Sequence, residues 1–216
     1  LNSTKEYVEK YTEEFYLVDL YYRRTLEAYH ELITKENPIE QTLSDAKHQL
    51  DLEYAKITNV LNLEWLTCVG EKGAWFTETG LKRQEDFYKN ESDTSVKQVV
   101  IVCDALRYEV AKELMQELAK EKHIATIDAY QAMLPTETKY CKPALLPHHL
   151  LELNVTDMMV DGTLLTTTEQ RTAHLGKYRE GAICTRYEDV MNGDAQSMRE
   201  LFKRSLVYIF YDTIDE

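Results

Sequence analysis

The sequence predicts an α/β protein: a helical N-terminal bundle followed by a mostly parallel sheet covered by helices. Three observations carry this. Apolar residues recur at spacings of three and four over roughly the first ninety residues, the texture changes to a continuous β-branched run near Gln98, and strand-like runs then alternate with helical ones. Only 7 glycines and 4 prolines fit a chain rich in helix and exclude a turn-rich all-β sandwich.

Tyr7, Tyr11, Phe15, Val18, Tyr22, Leu26, Tyr29 and Ile33 form the stripe of a first amphipathic helix. Glu36-Asn37-Pro38 breaks it, because proline disfavours helix in the residue before it. A second helix is expected from about Ile39 to Thr67, with Leu43, Ala46, Leu50, Tyr54, Ile57 and Leu61 on one side, then a turn at Val69 to Gly73 and a shorter segment around Trp75 to Tyr88. The abundant tyrosines (15) are read as core and rim packing. A polar stretch, Lys89 to Ser95, marks the boundary between a helical bundle over 1–94 and a core over 95–216. Gln98 to Cys103 has the composition of a strand buried on both faces, with Val99 to Cys103 central in the sheet. After it come a helix from Ala105 to Lys122, a strand from His123 to Tyr130 and a loop-rich segment from Gln131 to Pro147. Short strands at Val155–Val160 and Gly181–Thr185, a helical stretch from Glu188 to Ser205 interrupted at Asn192-Gly193, and an apolar strand at Leu206–Tyr211 complete the pattern.

A net charge of -13 excludes a broad electropositive face for duplex nucleic acid. A local phosphate site stays open, since metal ions would supply positive charge that the count omits. No run approaches the roughly 18 to 20 apolar residues of a membrane helix, and no basic-then-apolar leader signals secretion. Cys68, Cys103, Cys141 and Cys184 are widely spaced and form no C-x-x-C, so free thiols in a reduced cytoplasm are expected, with Cys103 a small core residue. The start at Leu1 and the stop at Asp215-Glu216, directly after a strand-like run, lead us to expect a piece of a longer protein.

Open parallel sheets place ligands at the carboxyl ends of their strands, where Asp104 and then Asp212 with Asp215 fall. On spacing alone, Asp104 reads more readily as the cap of the following helix than as a metal ligand. Leu134-Pro135-Thr136-Glu137-Thr138-Lys139 could reach the same edge. A threonine hydroxyl attacks only when a base or metal activates it, and from the residues alone Thr136 and Thr138 read more readily as turn residues. His148 and His149 are adjacent and diverge, which suits surface residues better than a ligand pair.

The string Val99-Val100-Ile101-Val102-Cys103-Asp104-Ala105-Leu106-Arg107-Tyr108-Glu109-Val110-Ala111-Lys112-Glu113-Leu114 closely resembles the PglZ family of BREX bacteriophage-defence systems, members of the alkaline phosphatase superfamily. Met133 to Thr138, Ala144 to His148, Val160-Asp161-Gly162 and Val207 to Asp215 extend the similarity, and Tyr21-Tyr22-Arg23 resembles the region before that domain. The resemblance implies a truncated alkaline-phosphatase-like core with Asp104 and Asp215 as metal ligands, and Thr138 as nucleophile with Thr136 in reserve. Tyr211 stands where the family's late motif has histidine, so Asp212 is the substitute ligand; Arg107 and Lys139 are the expected phosphate contacts. The implied cofactor is a divalent metal, Zn ahead of Mn or Mg, and this piece, holding only part of the ligand set, is expected to lack the metal and to be inactive by itself. The implied function is a metal-dependent phosphodiesterase, phosphatase or nuclease of bacterial cytoplasm, acting on a nucleotide or nucleic acid beside other BREX proteins. The alternatives are a catalytically degenerate scaffold that docks other defence proteins, and an output domain of a response regulator.

Overall fold

The structure is a computed structural model that describes residues 1–33, 39–70 and 79–212. The chain divides into two compact units, one of residues 1–80 with 107–128 and the other of residues 81–106 with 129–216.

The first unit is helical. Helix α1 (Thr4–Lys10) is capped by Ser3, whose hydroxyl accepts from the Glu6 amide at 3.1 Å. It runs through a π turn (Tyr11–Phe15) into α2 (Tyr16–Ile33), and α3 (Glu40–Val69) packs alongside. These match the two helices the apolar stripes predict. Tyrosines fasten them: Tyr7 donates to the Leu61 carbonyl at 3.0 Å, Tyr22 stacks on Tyr54 at 3.8 Å, and Tyr11 and Tyr54 both donate to Asp19, at 2.8 and 2.7 Å. Of the expected segment from Trp75 to Tyr88, residues 75–78 lie outside the described residues. Further along, the second unit opens with strand β1 (Lys82–Arg83), a 3-10 turn (Gln84–Asp86) and α4 (Phe87–Glu91).

Strand β2 (Gln98–Cys103) follows, and the chain then returns to the helical unit as α5 (Tyr108–Lys120). There Arg24 donates to Glu113 at 2.8 Å, Arg23 pairs with Glu113, and the Tyr108 ring sits 5.6 Å from that of Tyr16. The run His123 to Tyr130, expected as a strand, enters a ladder only at β3 (Tyr130–Gln131), parallel to β1. One of its faces would carry Ile124 with Thr126 and Asp128, too polar to bury, and Ile124 is 100% exposed. The segment expected to be loop-rich contains helix α6 (Thr138–Ala144).

Strands β4 (Leu151–Asn154), β5 (Asp157–Val160) and β6 (Thr163–Leu164) form an antiparallel meander where one strand was expected. Asp161 and Gly162, both at positive φ (49° and 72°), make the tight turn between its last two strands. Helix α7 (Thr168–Gly176) opens with a capping box between Thr167 and Gln170, and β7 (Ala182–Arg186) follows. Two short helices, α8 (Tyr187–Met191) and α9 (Ala195–Leu201), lie on either side of Asn192-Gly193, and β8 (Leu206–Tyr211) is the last strand.

The principal sheet is wholly parallel, in the order β2-β8-β7, with Cys103 opposite Tyr211. This bears out the α/β fold class and corrects one detail. The central strand is β8, whose residues Leu206 to Phe210 are all buried, whereas β2 is an edge strand among the described residues. Val100 and Val102 pack on the core, but Val99 and Ile101 are 47% and 59% exposed. A β-branched run marks a strand without revealing how many neighbours it has. Cys103 is accordingly only half-buried, and Cys184 on β7 is the thiol that lies in the core; all four cysteines are free.

Helix α7 packs on β7, and Leu146, Leu165, Leu175, Leu206, Tyr208 and Phe210 form the heart of the core. Behind it, Arg179 donates to the carbonyls of Asp93 (2.9 Å) and Ser205 (2.7 Å), to the Val96 carbonyl and to the Gln98 side chain (2.9 Å). That clamp fixes the starts of β2 and β8.

Candidate metal centre at the carboxyl edge of the sheet

Because β2 and β8 run parallel and in register, the residues after them leave the sheet side by side. Asp104 continues the ladder, its amide donating to the Tyr211 carbonyl at 3.0 Å, and Asp212 follows Tyr211. Ala105 then turns the chain at a positive φ of 59°, with its amide on Asp104 Oδ1 at 3.1 Å. The two carboxylates converge on one cation. Lys142 Nζ, from α6, lies 3.2 Å from Asp104 Oδ2 and 2.7 Å from Asp212 Oδ1. The side chains of Lys142, Asp104 and Asp212 are 11%, 20% and 50% exposed, so the contacts are partly screened from water.

Aromatic rings line the approach. The Lys142 ammonium is 6.0 Å from the centre of the Phe210 ring, and the Arg171 guanidinium is 4.8 Å from it. Burial draws Arg171 below its ordinary pKa, while the Asp212 carboxylate pulls the other way. Tyr211, where the resemblance led us to look for histidine, packs edge-on against Tyr187 at 4.5 Å. Burial, and then the nearby Asp104 charge, push the Cys141 thiol up, which leaves it a poor nucleophile beside the acids.

The expected threonines flank the start of α6, Thr136 exposed and Thr138 half-buried. Thr138 and Lys142, four residues apart on that helix, share a face. Lys139 is paired with Glu137 at 3.2 Å and its ammonium lies over the Tyr140 ring at 4.7 Å. Arg107 pairs with Glu109 at 3.1 Å in the helical unit. Asp215 lies outside the described residues. Lys142 is the cation that sequence reasoning passed over; its signal was a lysine one turn after a candidate nucleophile.

In kind, the donor set fits a hard divalent ion: two carboxylate oxygens already aimed at one positive centre. In number it is incomplete, since among the described residues no group of three or more His, Cys, Asp or Glu side chains is arranged to hold a metal. The histidines lie elsewhere in this unit. His148 Nδ1 is 2.8 Å from the Leu146 carbonyl, and buried His174 reaches the Pro147 carbonyl at 2.7 Å. Asp161 accepts from the His149 and Leu150 amides at 2.8 and 2.9 Å and from the Tyr178 hydroxyl at 2.5 Å. The Val160–Gly162 turn is thus tied to the residues that follow Ala144–His148. No helix among the described residues is long and apolar enough to cross a membrane.

Residues 85–216 match the family model of the BREX system PglZ alkaline phosphatase-like domain. The chain is 28% identical over 214 residues to the alkaline phosphatase-like protein PglZ of Bacillus cereus (strain H3081.97), covering 95% of this chain and 24% of that protein. It is 33% identical over 147 residues to the alkaline phosphatase-like protein BrxZ of Escherichia coli O9:H4 (strain HS), covering 63% of this chain and 17% of that protein. The chain thus spans about a quarter or less of the length of these relatives. No solved structure matches it. With most of its length accounted for in this way, and with strand-end aspartates in a parallel sheet, the chain belongs to the PglZ family of alkaline phosphatase-like proteins of BREX systems.

Proposed function

We propose that the edge formed by Asp104 and Asp212 is the acidic half of a metal-dependent phosphoryl-hydrolase site, a phosphodiesterase, phosphatase or nuclease of a bacterial, cytoplasmic BREX defence system. The observation that carries this reading is the convergence of two carboxylates, one from each of two adjacent parallel strands, on a single cation position. Asp104 and Asp212 would hold the ion, with Asp215 as a further ligand and Zn ahead of Mn or Mg. Such an ion, when bound, supplies Lewis acidity and neutralises charge on the transferring group. Thr138, on the same face of α6 as Lys142, is the proposed nucleophile, with Thr136 in reserve. Phe210 lies under the Lys142 ammonium beside the acids, and Tyr211, the next residue of the strand, points to the other face and packs on Tyr187. Arg171, which donates to the Leu165 carbonyl at 3.2 Å and has no carboxylate partner among the described residues, is a better placed anion contact than Arg107 or Lys139, whose cations are paired with Glu109 and Glu137. A nucleotide or nucleic acid as substrate, and other BREX proteins as partners, belong to the same proposal.

A second reading is favoured by one specific observation: a lysine fills the position between the acids, and a tyrosine packs where a ligand histidine would stand. In that reading the domain is a degenerate scaffold that docks other defence proteins. Hydrolysis of a generic phosphodiester by the intact protein separates the two. Activity that needs added Zn or Mn, vanishes with chelator and is lost in Asp104→Ala and Thr138→Ala supports the enzyme. Equal rates in all three proteins, or none in the metal-loaded wild type, supports the scaffold.

A further inference from the structure

The two acids are already neutralised in part by a charge that belongs to the chain. Lys142 reaches them from a separate element, contacts one oxygen of each, and is almost enclosed at 11% exposure. We propose that Lys142 is a tethered counter-ion: it holds Asp104 and Asp212 together in the metal-free protein and is displaced when a divalent ion binds. The inference rests on the reading of those aspartates as metal ligands.

Charge favours displacement, and Lys142 competes directly for the carboxylate oxygens it holds. Metal–oxygen bonds to carboxylates are about 2.0 to 2.2 Å long, and Nζ now takes the Asp212 oxygen at 2.7 Å. An ion seated on the same oxygens with the ammonium still in place would set two positive centres within a few ångströms in a partly enclosed site, where their repulsion is strong. Lysine is suited to leaving, because its ammonium is a point charge on a flexible four-carbon stem, unlike the rigid fork of arginine. It is equally suited to staying when no metal is present. Without it, two like charges at the ends of adjacent strands would repel each other and loosen the edge that β2 forms with β8.

A change of charge follows. The two carboxylates and the ammonium that touches them carry a single negative charge, and the nearby Arg171 guanidinium brings the metal-free edge close to neutral. Adding a divalent ion while both cations remain makes the edge positive and able to attract a phosphate ester. The retained Lys142 cation sits one helical turn from Thr138, on the same face of α6. Anion binding is thereby made conditional on metal, with Lys142 acting as a positioning residue.

The test is Mn²⁺ binding to the metal-stripped intact protein, followed by calorimetry for wild type, Lys142→Met, Lys142→Gln, Asp104→Asn and the Asp104→Asn/Lys142→Met double variant. The Lys142 variants should bind Mn²⁺ about 10- to 100-fold more tightly than wild type, the worth of a charge-assisted hydrogen bond no longer lost on displacement. The Asp104→Asn variants should lose this binding. In the wild type alone, acylation of lysines read by mass spectrometry should show Lys142 becoming several-fold more reactive when Mn²⁺ is added, a readout that does not depend on any variant folding. Equal affinity in wild type and both Lys142 variants, with Asp104→Asn still defective, overturns the counter-ion and leaves the metal reading standing. Unchanged Lys142 reactivity on saturation does the same. Absence of any Asp104-dependent binding removes both.

Discussion

Arg179 offers the sharpest test of how the fold places the two acids. It is 7% exposed, and its two terminal nitrogens reach four acceptors drawn from Asp93, Val96, Gln98 and Ser205. Those acceptors flank the starts of β2 and β8, the strands whose far ends carry Asp104 and Asp212. Replacing Arg179 with methionine keeps much of the stem and removes every donor. A hydrogen bond to a charged group contributes about 1.5 to 3 kcal/mol, and the four here are not additive, because carbonyls near the strand starts regain water once the guanidinium is gone. A loss of about 3 to 4 kcal/mol is therefore expected, large for a single substitution. Arg179→Lys should lose about half as much, since an ammonium donates from one point and cannot span the four acceptors. Urea unfolding of the two variants measures the loss, and hydrogen exchange should show faster opening of β2 and β8 amides. A cost below about 1 kcal/mol for the methionine variant would refute the clamp.

Asp161 should make stability depend on pH in the acid range. Desolvation alone would raise its pKa, but hydrogen bonds from the Tyr178 hydroxyl and the Leu150 and His149 amides outweigh it and bring the pKa to about 2, from an ordinary 3.8. A depressed folded pKa means that the stabilisation is complete above the unfolded value and fades as pH falls from about 4 towards 2. Because Asp161 is exposed, screening should hold the effect to about 1 kcal/mol or less. Denaturation of wild type and Asp161→Asn between pH 2 and 6 should show a gap that closes as the solution is acidified, and a gap constant with pH would reject the assignment. Glu109, 1% exposed beside Arg107 and Arg23, should matter through stability. Glu109→Gln should cost about 1 to 2 kcal/mol in thermal unfolding and leave Asp104-dependent Mn²⁺ binding unchanged; lost binding without lost stability would contradict that role.

Strands and long helices were legible because their signals are local. The β-branched run Val99–Cys103 and the apolar run Leu206–Tyr211 are both strands, and the stripes from Tyr7 and Leu43 are both helices. What could not be read locally was pairing: β8 is central and β2 an edge, which depends on which strand lies next to which. Two local signals were present but unused. Asp161-Gly162 is a strong hairpin turn sequence, and Thr167 with Gln170 is a capping-box pair that announced α7. At the candidate site, Asp104 and Asp212 were found by their place after strands. Lys142 was not, because its partner Asp212 is 70 residues away and its own seven-residue helix contains Pro143. No periodicity in a segment that short predicts where one side chain will point.

The stretch that carries the family resemblance most densely does two different jobs. Asp104 ends β2 in the sheet unit, while Arg107, Tyr108 and Glu109 open α5 in the helical unit. Tyr108 donates to the Thr12 carbonyl at 3.3 Å and packs against Tyr11 and Tyr16, and Glu109 is buried among arginines. A buried carboxylate is tolerated only when paired, so this glutamate and its cations specify how α5 docks on the N-terminal helices. The motif therefore spans a short connection that meets two sets of constraints, one at the edge of a sheet and one inside a helical pack. Family resemblance at Arg107 points to packing chemistry, and at Asp104 to the sheet edge, although only two residues separate them. What distinguishes the two is where each side chain finds its partner: Glu109 for Arg107, and for Asp104 a lysine that a divalent ion could replace.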